Sequence, residues 1–329
     1  MSNPREPRVA VVGATGAVGN QLIELIAARG FQLSELKLFA TEAGAAQTVE
    51  AAGEERLVDA LRDPADLRDF DVAFLAIPAP RAAEIIAAKP GPILIDLSAS
   101  TRPPSDVPMV APGLTSREAI ARMRNAKVFA TPHPVAHVLA TCLKALGPRV
   151  GFVAATAMLG ASTGGRDVLT DTVDQTTDLL SARLELDDDE EVQRGFNAFL
   201  REHERSVASA IAAQVVMLLG KAPTLSVQAA AIPVLHGSAL TVDIQRPRES
   251  KGNGEDAVDL LRAAPGILIA EEGEPLGVID AVGQEAIVVS VETQPDSLSL
   301  WCVFDNTRLA ALGALWIAET LALNSPTLA

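Results

Sequence analysis

The chain is predicted to be an α/β protein: an N-terminal doubly wound parallel sheet followed by a C-terminal α+β domain with a mostly antiparallel sheet. Three observations carry this expectation. A β-branched run, Arg8-Val9-Ala10-Val11-Val12, stops at a glycine and feeds a stretch with helical spacing. Up to about residue 128 strand signals alternate with helical ones, the pattern of a parallel sheet with crossover helices. Beyond it, strand-like runs follow one another with no obvious crossover helix between residues 225 and 245.

In order, the first strand spans 8–12 and the first helix 19–29, its apolar stripe made by Leu22, Ile23, Leu25 and Ile26. Strands are expected at 35–40, 72–77 and 92–97, with a helix over 81–88 between the last two. A helix begins at Pro134 and runs to about residue 146. Further strands are expected at 151–158, 225–232, 239–245, 287–292 and 298–303, and long helices at 167–183 and 191–219. A last helix, 305–323, is expected to pack back on the first domain. The acidic run 187–191 and the Lys-Gly-Asn-Gly stretch 251–254 are expected to be solvated loops. The domains are therefore set at 1–128, with 305–329 returning to it, and 129–304.

Composition narrows the function. The chain has 329 residues, 48% of them apolar, enough for about two domains at roughly 150 residues each. With 27 basic against 42 acidic residues, the net charge of -15 argues against nucleic acid or an anionic membrane as a partner. Two cysteines, Cys142 and Cys302, make no disulfide framework, and the opening Met-Ser-Asn-Pro-Arg-Glu lacks the apolar core of a secretion signal, so a cytoplasmic protein is expected. No apolar run reaches the roughly 18 residues of a membrane span.

Gly13-Ala-Thr-Gly16-Ala-Val-Gly19 lies where a strand feeds a helix. Glycines there permit a tight turn and let a pyrophosphate approach the amides at the helix N-terminus, the arrangement of a Rossmann-type dinucleotide site. The only charge in the stretch 38–44 that ends the second strand is Glu42, which leans toward a free ribose 2′-hydroxyl and NAD.

Several ordered segments resemble the aspartate-semialdehyde dehydrogenase family, and more narrowly its Usg-type homologues. They are the glycine turn, Ile95-Asp-Leu-Ser-Ala-Ser-Thr-Arg102, Val107-Pro-Met-Val-Ala-Pro112, Ala130-Thr-Pro-His-Pro134, Leu143-Lys144, Pro233-Val234 with Gly237, Asp305-Asn306 with Arg308, and Ala310-Ala-Leu-Gly-Ala314 through Ile317-Ala-Glu319. The resemblance implies an N-terminal Rossmann-type domain, a C-terminal catalytic and dimerisation domain, and NADP-dependent interconversion of aspartyl phosphate with aspartate semialdehyde. It also implies cofactor binding at Gly13, Thr15, Gly16, Ala17, Val18, Gly19, Thr41 and Asn306, with Arg102 the clearest surviving anion-binding group.

The family's catalytic residues do not carry over. Where the family has a nucleophilic cysteine at a helix N-terminus, this chain has Pro134, a residue suited to a helix's first turn. The base histidine corresponds to Ser238, the substrate arginine to Ala231, and the glutamine near the thioester falls near Met158. No other residue restores the chemistry. Cys142 is eight positions beyond Pro134, ~12 Å along a helix, and reads like Cys302 as a buried thiol. His236, placed on a strand, could share a side with Ser238, yet a base without a nucleophile forms no thioester. His133 and His137 are four apart on one helix face, but two ligands do not make a metal site and none is expected. His203 is expected on a solvated helix face. The expected protein is a homodimer that binds NADP or NAD without the family reaction. Two alternatives stay open: an oxidoreductase acting on another aldehyde or imine by direct hydride transfer, with His236 or His133 as proton donor, and a scaffold in which the glycine turn is a relic.

Overall fold

The computed structural model describes residues 6–51, 53–99, 106–123, 125–183, 192–246 and 254–324. The chain divides into two compact units, Met1–His133 with Arg308–Ala329, and Pro134–Thr307.

The first unit is built on a seven-stranded sheet in the order β3-β4-β2-β1-β5-β6-β7. Its strands are β1 (Arg8–Val12), β2 (Glu35–Ala40), β3 (Thr48–Ala51), β4 (Glu54–Ala60), β5 (Val72–Leu75), β6 (Ile93–Asp96) and β7 (Val128–Ala130). All neighbours are parallel except β3 and β4. Because side chains alternate along a strand, β1 feeds two cores. Val9 and Val11 pack with Leu22, Ile23, Leu25 and Ile26 of helix α1 (Ala17–Ala28), while Ala10 and Val12 pack with Ala82 and Ile85 of helix α2 (Ala79–Ala88) on the other face. The short helix α3 (Arg117–Arg122) adds Ile120 to the first core. So does the last helix, α8 (Asn306–Asn324), through Ala311, Leu312, Ala314, Leu315, Ile317, Ala318 and Leu321. These two covered faces make the sheet doubly wound.

The second unit holds a six-stranded sheet in the order β11-β12-β13-β10-β8-β9. The strands are β8 (Phe152–Leu159), β9 (Thr224–Ala231), β10 (Ser238–Gln245), β11 (Ile267–Ile269), β12 (Ile287–Thr293) and β13 (Ser297–Phe304). Three pairings are antiparallel, and β8 with β9 and β11 with β12 are parallel. The run between residues 225 and 245 is thus not a hairpin: β8 lies between β9 and β10. One face of the three strands β8, β10 and β13 is buried, formed by Val153, Ala155, Ala157 and Leu159 with Leu240, Val242, Ile244, Leu300 and Cys302. The unit's helices are α4 (Pro134–Leu146), α5 (Arg166–Leu180), α6 (Glu202–Leu219) and α7 (Gly254–Arg262), with α6 packed on β9 and α4 on α6.

Two expectations are corrected. The helix expected over 191–219 begins only at Glu202, where the Arg201 amide donates to Glu204 Oε2 at 2.8 Å. Upstream, Phe199 leaves the helical path to exchange backbone hydrogen bonds with Ala231, and Phe196 adopts φ 55°. Of the loop expected at 251–254, Gly254 instead opens α7; residues 187–191 and 251–253 lie outside the described residues. The pattern also missed β3, β4, β7, β11, α3 and α7. In β4, Glu54-Glu-Arg-Leu-Val-Asp-Ala60, charged residues on an edge hairpin conceal the strand. No helix among the described residues is long and apolar enough to cross a membrane.

Candidate functional site

The glycine turn closes β1 and opens α1 at the carboxyl end of the parallel strands, next to the point where strand order reverses between β1 and β5. The amides of Gly13 and Ala14 both donate to the Phe39 carbonyl, at 2.8 and 3.0 Å, tying the turn to the end of β2. Gly13 has φ +92°, and a side-chain carbon there would lie 2.2 Å from the Ala76 carbonyl oxygen. Gly16 is the N-cap of α1 and offers no capping side chain, so the first-turn amides of Ala17 and Val18 are left for an acceptor from outside the helix. A Cβ on Gly16 would approach the Gly13 carbonyl oxygen no closer than 3.3 Å. The glycine at this position keeps the approach to those amides open.

The turn after β2 lies against the same loop. Thr41 precedes a short 3-10 segment, Glu42–Gly44, and a Cβ on Gly44 would lie 2.9 Å from Thr15 Oγ1. The structure thus brings Thr15, Thr41 and Glu42 to one end of the sheet, and Thr41 and Glu42 are exposed. Asp96 ends β6 at this edge. It is buried, and its Oδ1 accepts the Ser98 amide at 2.8 Å. Burial pushes its carboxyl above the ordinary aspartate value, and the Ser98 amide only partly opposes this. The sequence pattern assigned Asp96 no role of its own. Arg102 lies outside the described residues.

In the second unit, Pro134 is the first residue of α4, where a missing amide hydrogen costs nothing. Ala231 and Ser238 both pair with Leu159, from β9 and β10, and so share its face of the sheet. Met158 points the opposite way and packs with Ala239, Val303 and Trp301. Ser238 is fully buried; its hydroxyl lies 3.4 Å from the Gly160 amide and 3.4 Å from Thr163 Oγ1. Neither neighbour is a base that could activate it. Asn306 is also buried, and its Oδ1 accepts the Ser162 hydroxyl at 3.1 Å. Its side chain therefore belongs to a polar cluster with Ser162 in the second unit.

His236 does not sit on a strand, as one expectation had it. It is exposed in the bend before β10, which begins at Ser238. His203 is exposed on α6, whereas His133, just before α4, and His137, within it, are buried. Among the described residues no group of three or more His, Cys, Asp or Glu could hold a metal ion. Cys142 and Cys302 are both fully buried. Their thiols meet between α4 and β13, and the hydrogen bond between them, with burial, pushes the Cys302 thiol well above its ordinary value.

A strand, a glycine turn and a helix at the switch point of a doubly wound sheet define a dinucleotide-binding class of protein. Residues 8–123 accordingly match the family described as the NAD-binding domain of semialdehyde dehydrogenases. The USG-1 protein homologue of Pseudomonas aeruginosa is 32% identical over 346 aligned residues, covering 98% of each chain. The aspartate-semialdehyde dehydrogenase of Synechocystis sp. is 29% identical over 342, covering 97% of this chain and 98% of its own. A solved structure of a probable aspartate-semialdehyde dehydrogenase from P. aeruginosa superposes with a TM-score of 0.82 at 30% identity, covering 97% and 98%. The chain belongs to the aspartate-semialdehyde dehydrogenase family, together with the USG-1 homologues.

Proposed function

We propose that this chain is a homodimeric member of the family that binds NADP or NAD but does not carry out the phosphorylating dehydrogenation of aspartate semialdehyde. The observation that carries this reading is Pro134, which opens α4 where the family resemblance calls for the nucleophilic cysteine. Proline has no group that could form a thioester. Ala231 and Ser238, facing the same way beside Leu159, supply neither the arginine nor the histidine the reaction needs. Cys142 is no substitute, being fully buried beside Cys302.

Nucleotide binding is supported by the fit of the glycine turn. Gly16 leaves the α1 amides uncovered, and Gly13 and Gly19 allow the close backbone packing that aims them. Bound there, a nicotinamide nucleotide would supply hydride chemistry, and the amides of Ala17 and Val18 beside Gly16 would hold its pyrophosphate. A dimer is supported by the second face of the six-stranded sheet. Ala154, Thr156, Thr241, Ser290 and Ser299 are small, uncharged and only half-buried there.

Calorimetric titration of nucleotide-stripped protein with NAD and NADP, oxidised and reduced, tests the reading, alongside a phosphate-dependent turnover assay with aspartate semialdehyde. Saturable binding at one nucleotide per chain with no turnover is expected. Turnover that survives repurification would overturn the loss of the reaction, and absence of binding to millimolar concentrations would leave a scaffold. In light scattering the protein is expected at twice the chain mass, and Thr241→Arg, which buries charge in the proposed interface, is expected to give monomers.

A further inference from the structure

Where β2 ends, the chain makes a short turn whose position is fixed on both sides. On one side the Phe39 carbonyl accepts the Gly13 and Ala14 amides, and a Cβ on Gly44 would lie 2.9 Å from Thr15 Oγ1 and 3.0 Å from Ala40 Cβ, so the Glu42–Gly44 segment is pressed on the glycine turn. On the other side the Ala46 amide donates to the Val58 carbonyl and the Val58 amide to the Gln47 carbonyl, both at 2.9 Å. Ala46 takes φ 61°, a left-handed conformation, to make that contact. Residues 41–45 are all that lies between β2 and this tie to β4. Glu42 is the charged residue among them, and it is exposed.

The neighbouring strand adds more negative charge. β4 runs parallel to β2 with Ala60 beside Ala40, so the chain leaving β4 emerges at the same end of the sheet, and the Leu61 amide donates to the Ala40 carbonyl at 2.9 Å. Arg62 follows, then Asp63, whose Oδ1 accepts the Ala65 amide at 2.8 Å, and Asp66, whose Oδ2 accepts the Asp63 amide at 3.2 Å. All three are exposed. The stretches 41–45 and 61–67 thus set the carboxylates of Glu42, Asp63 and Asp66 against the single guanidinium of Arg62. The bases within β2 and β4 lie further back along the strands and are engaged, Lys37 with Asp59 and Arg56 with Glu54 and the Leu36 carbonyl.

A dinucleotide whose pyrophosphate rests on the first-turn amides of α1 lays its adenosine ribose at the end of β2. An acid there accepts a hydrogen bond from a free 2′-hydroxyl. A 2′-phosphate, carrying about −1.5 to −2 charges at neutral pH, is repelled by the same acid. We propose that Glu42 selects NAD against NADP at the glycine turn, reversing the cofactor that the family resemblance implies. With Gly44 packed on Thr15 and Ala46 tied to Val58, the turn has no slack to draw Glu42 aside for a phosphate. This selection rests on nucleotide binding at the glycine turn and adds which nucleotide is bound.

The test is calorimetric titration of the full-length, nucleotide-stripped protein and its variants with NAD and with NADP, read as the ratio of the two dissociation constants. The wild type is expected to bind NAD about tenfold or more tightly than NADP. Glu42→Gln, which removes the charge and keeps an acceptor, is expected to narrow the ratio, chiefly by strengthening NADP. Glu42→Arg is expected to reverse it. Glu42 is exposed, so both variants should keep the wild-type melting temperature, and either one decides the matter alone. NADP bound as tightly as NAD by the wild type overturns the proposal, as does a ratio that neither variant changes. A wild-type preference for NADP that Arg62→Gln abolishes would also overturn it, giving the 2′-position to the guanidinium that follows β4. Binding of both nucleotides with equal affinity removes the selection alone, whereas binding of neither removes the nucleotide reading of the glycine turn and the selection with it.

Discussion

Gly19, on the first turn of α1, lies directly against the carbonyl of Gly13: a side-chain carbon on Gly19 would stand 2.1 Å from the Gly13 oxygen and 2.9 Å from its carbonyl carbon. Helix and turn are thus in backbone contact, and neither can shift without the other. Gly19→Ala is expected to force them apart at a cost of about 1–3 kcal/mol, as in other overpacked sites, and to abolish nucleotide binding with it. Thermal denaturation and nucleotide titration of the variant measure both effects.

Gly16→Asp is expected to separate these two properties. Gly16 has φ −80° and ψ 162°, the extended geometry of an N-cap, and aspartate is among the best capping residues. Its carboxylate would accept the first-turn amides and favour the positive end of the helix, so thermal stability should hold or rise by up to about 1 kcal/mol. Nucleotide affinity should collapse, because the carboxylate occupies and repels the phosphate position. A variant that melts earlier and still binds nucleotide would contradict the assigned geometry.

Asp96 gives a pH signature. Burial raises its folded-state pKa, so the native protein holds this proton at pH values where the unfolded chain has released it. The stability it contributes is fully present below the ordinary aspartate value and is lost as pH rises through the raised one. Asp96→Asn keeps an oxygen for the Ser98 amide and removes the buried charge. The variant should melt at or above the wild-type temperature at neutral pH, and the gap should close as the pH is lowered toward the ordinary aspartate range. A gap independent of pH would assign the difference to packing.

The thiols between α4 and β13 should be chemically silent. Cys142 and Cys302 are fully buried, and the thiolate of Cys302 is disfavoured. Iodoacetate at mildly alkaline pH is expected to leave both unmodified in the native protein and to label both in denaturant, read by mass spectrometry. Rapid labelling of either in the native state would mean that the α4–β13 contact opens.

What the sequence made legible was local. Val9 and Val11 alternate with Ala10 and Val12, and the helical stripe of Leu22, Ile23, Leu25 and Ile26 follows at once, so strand, turn and helix could be read within some twenty residues. What it concealed depends on partners far along the chain. The departure from helix before Glu202 is fixed by Ala231 and Gln175, and no capping side chain marks the true start: Arg201 has no acceptor to offer, and only Glu204, accepting the Arg201 amide, closes the first turn. The parallel pairing of β9 with β8 is likewise set by register between Leu159 and Ala231, which no local pattern encodes. The glycine turn could be found from its spacing, whereas the packing of Gly44 on Thr15 and the seating of Arg194 on Phe199 required the fold.

The place of α8 in the first unit's core has a consequence for how the molecule is made. Leu315, Ile317 and Ala318 join a core whose other members, Val9, Leu22 and Phe74, leave the ribosome far earlier, with the whole of residues 134–307 between them. At about 5–20 residues per second, the nascent first unit waits roughly ten to thirty seconds with the α8 part of that core unfilled, α1 and α3 alone covering the sheet face. The second unit, continuous in sequence, is free to mature during that interval. The first completes its core only when its final helix emerges.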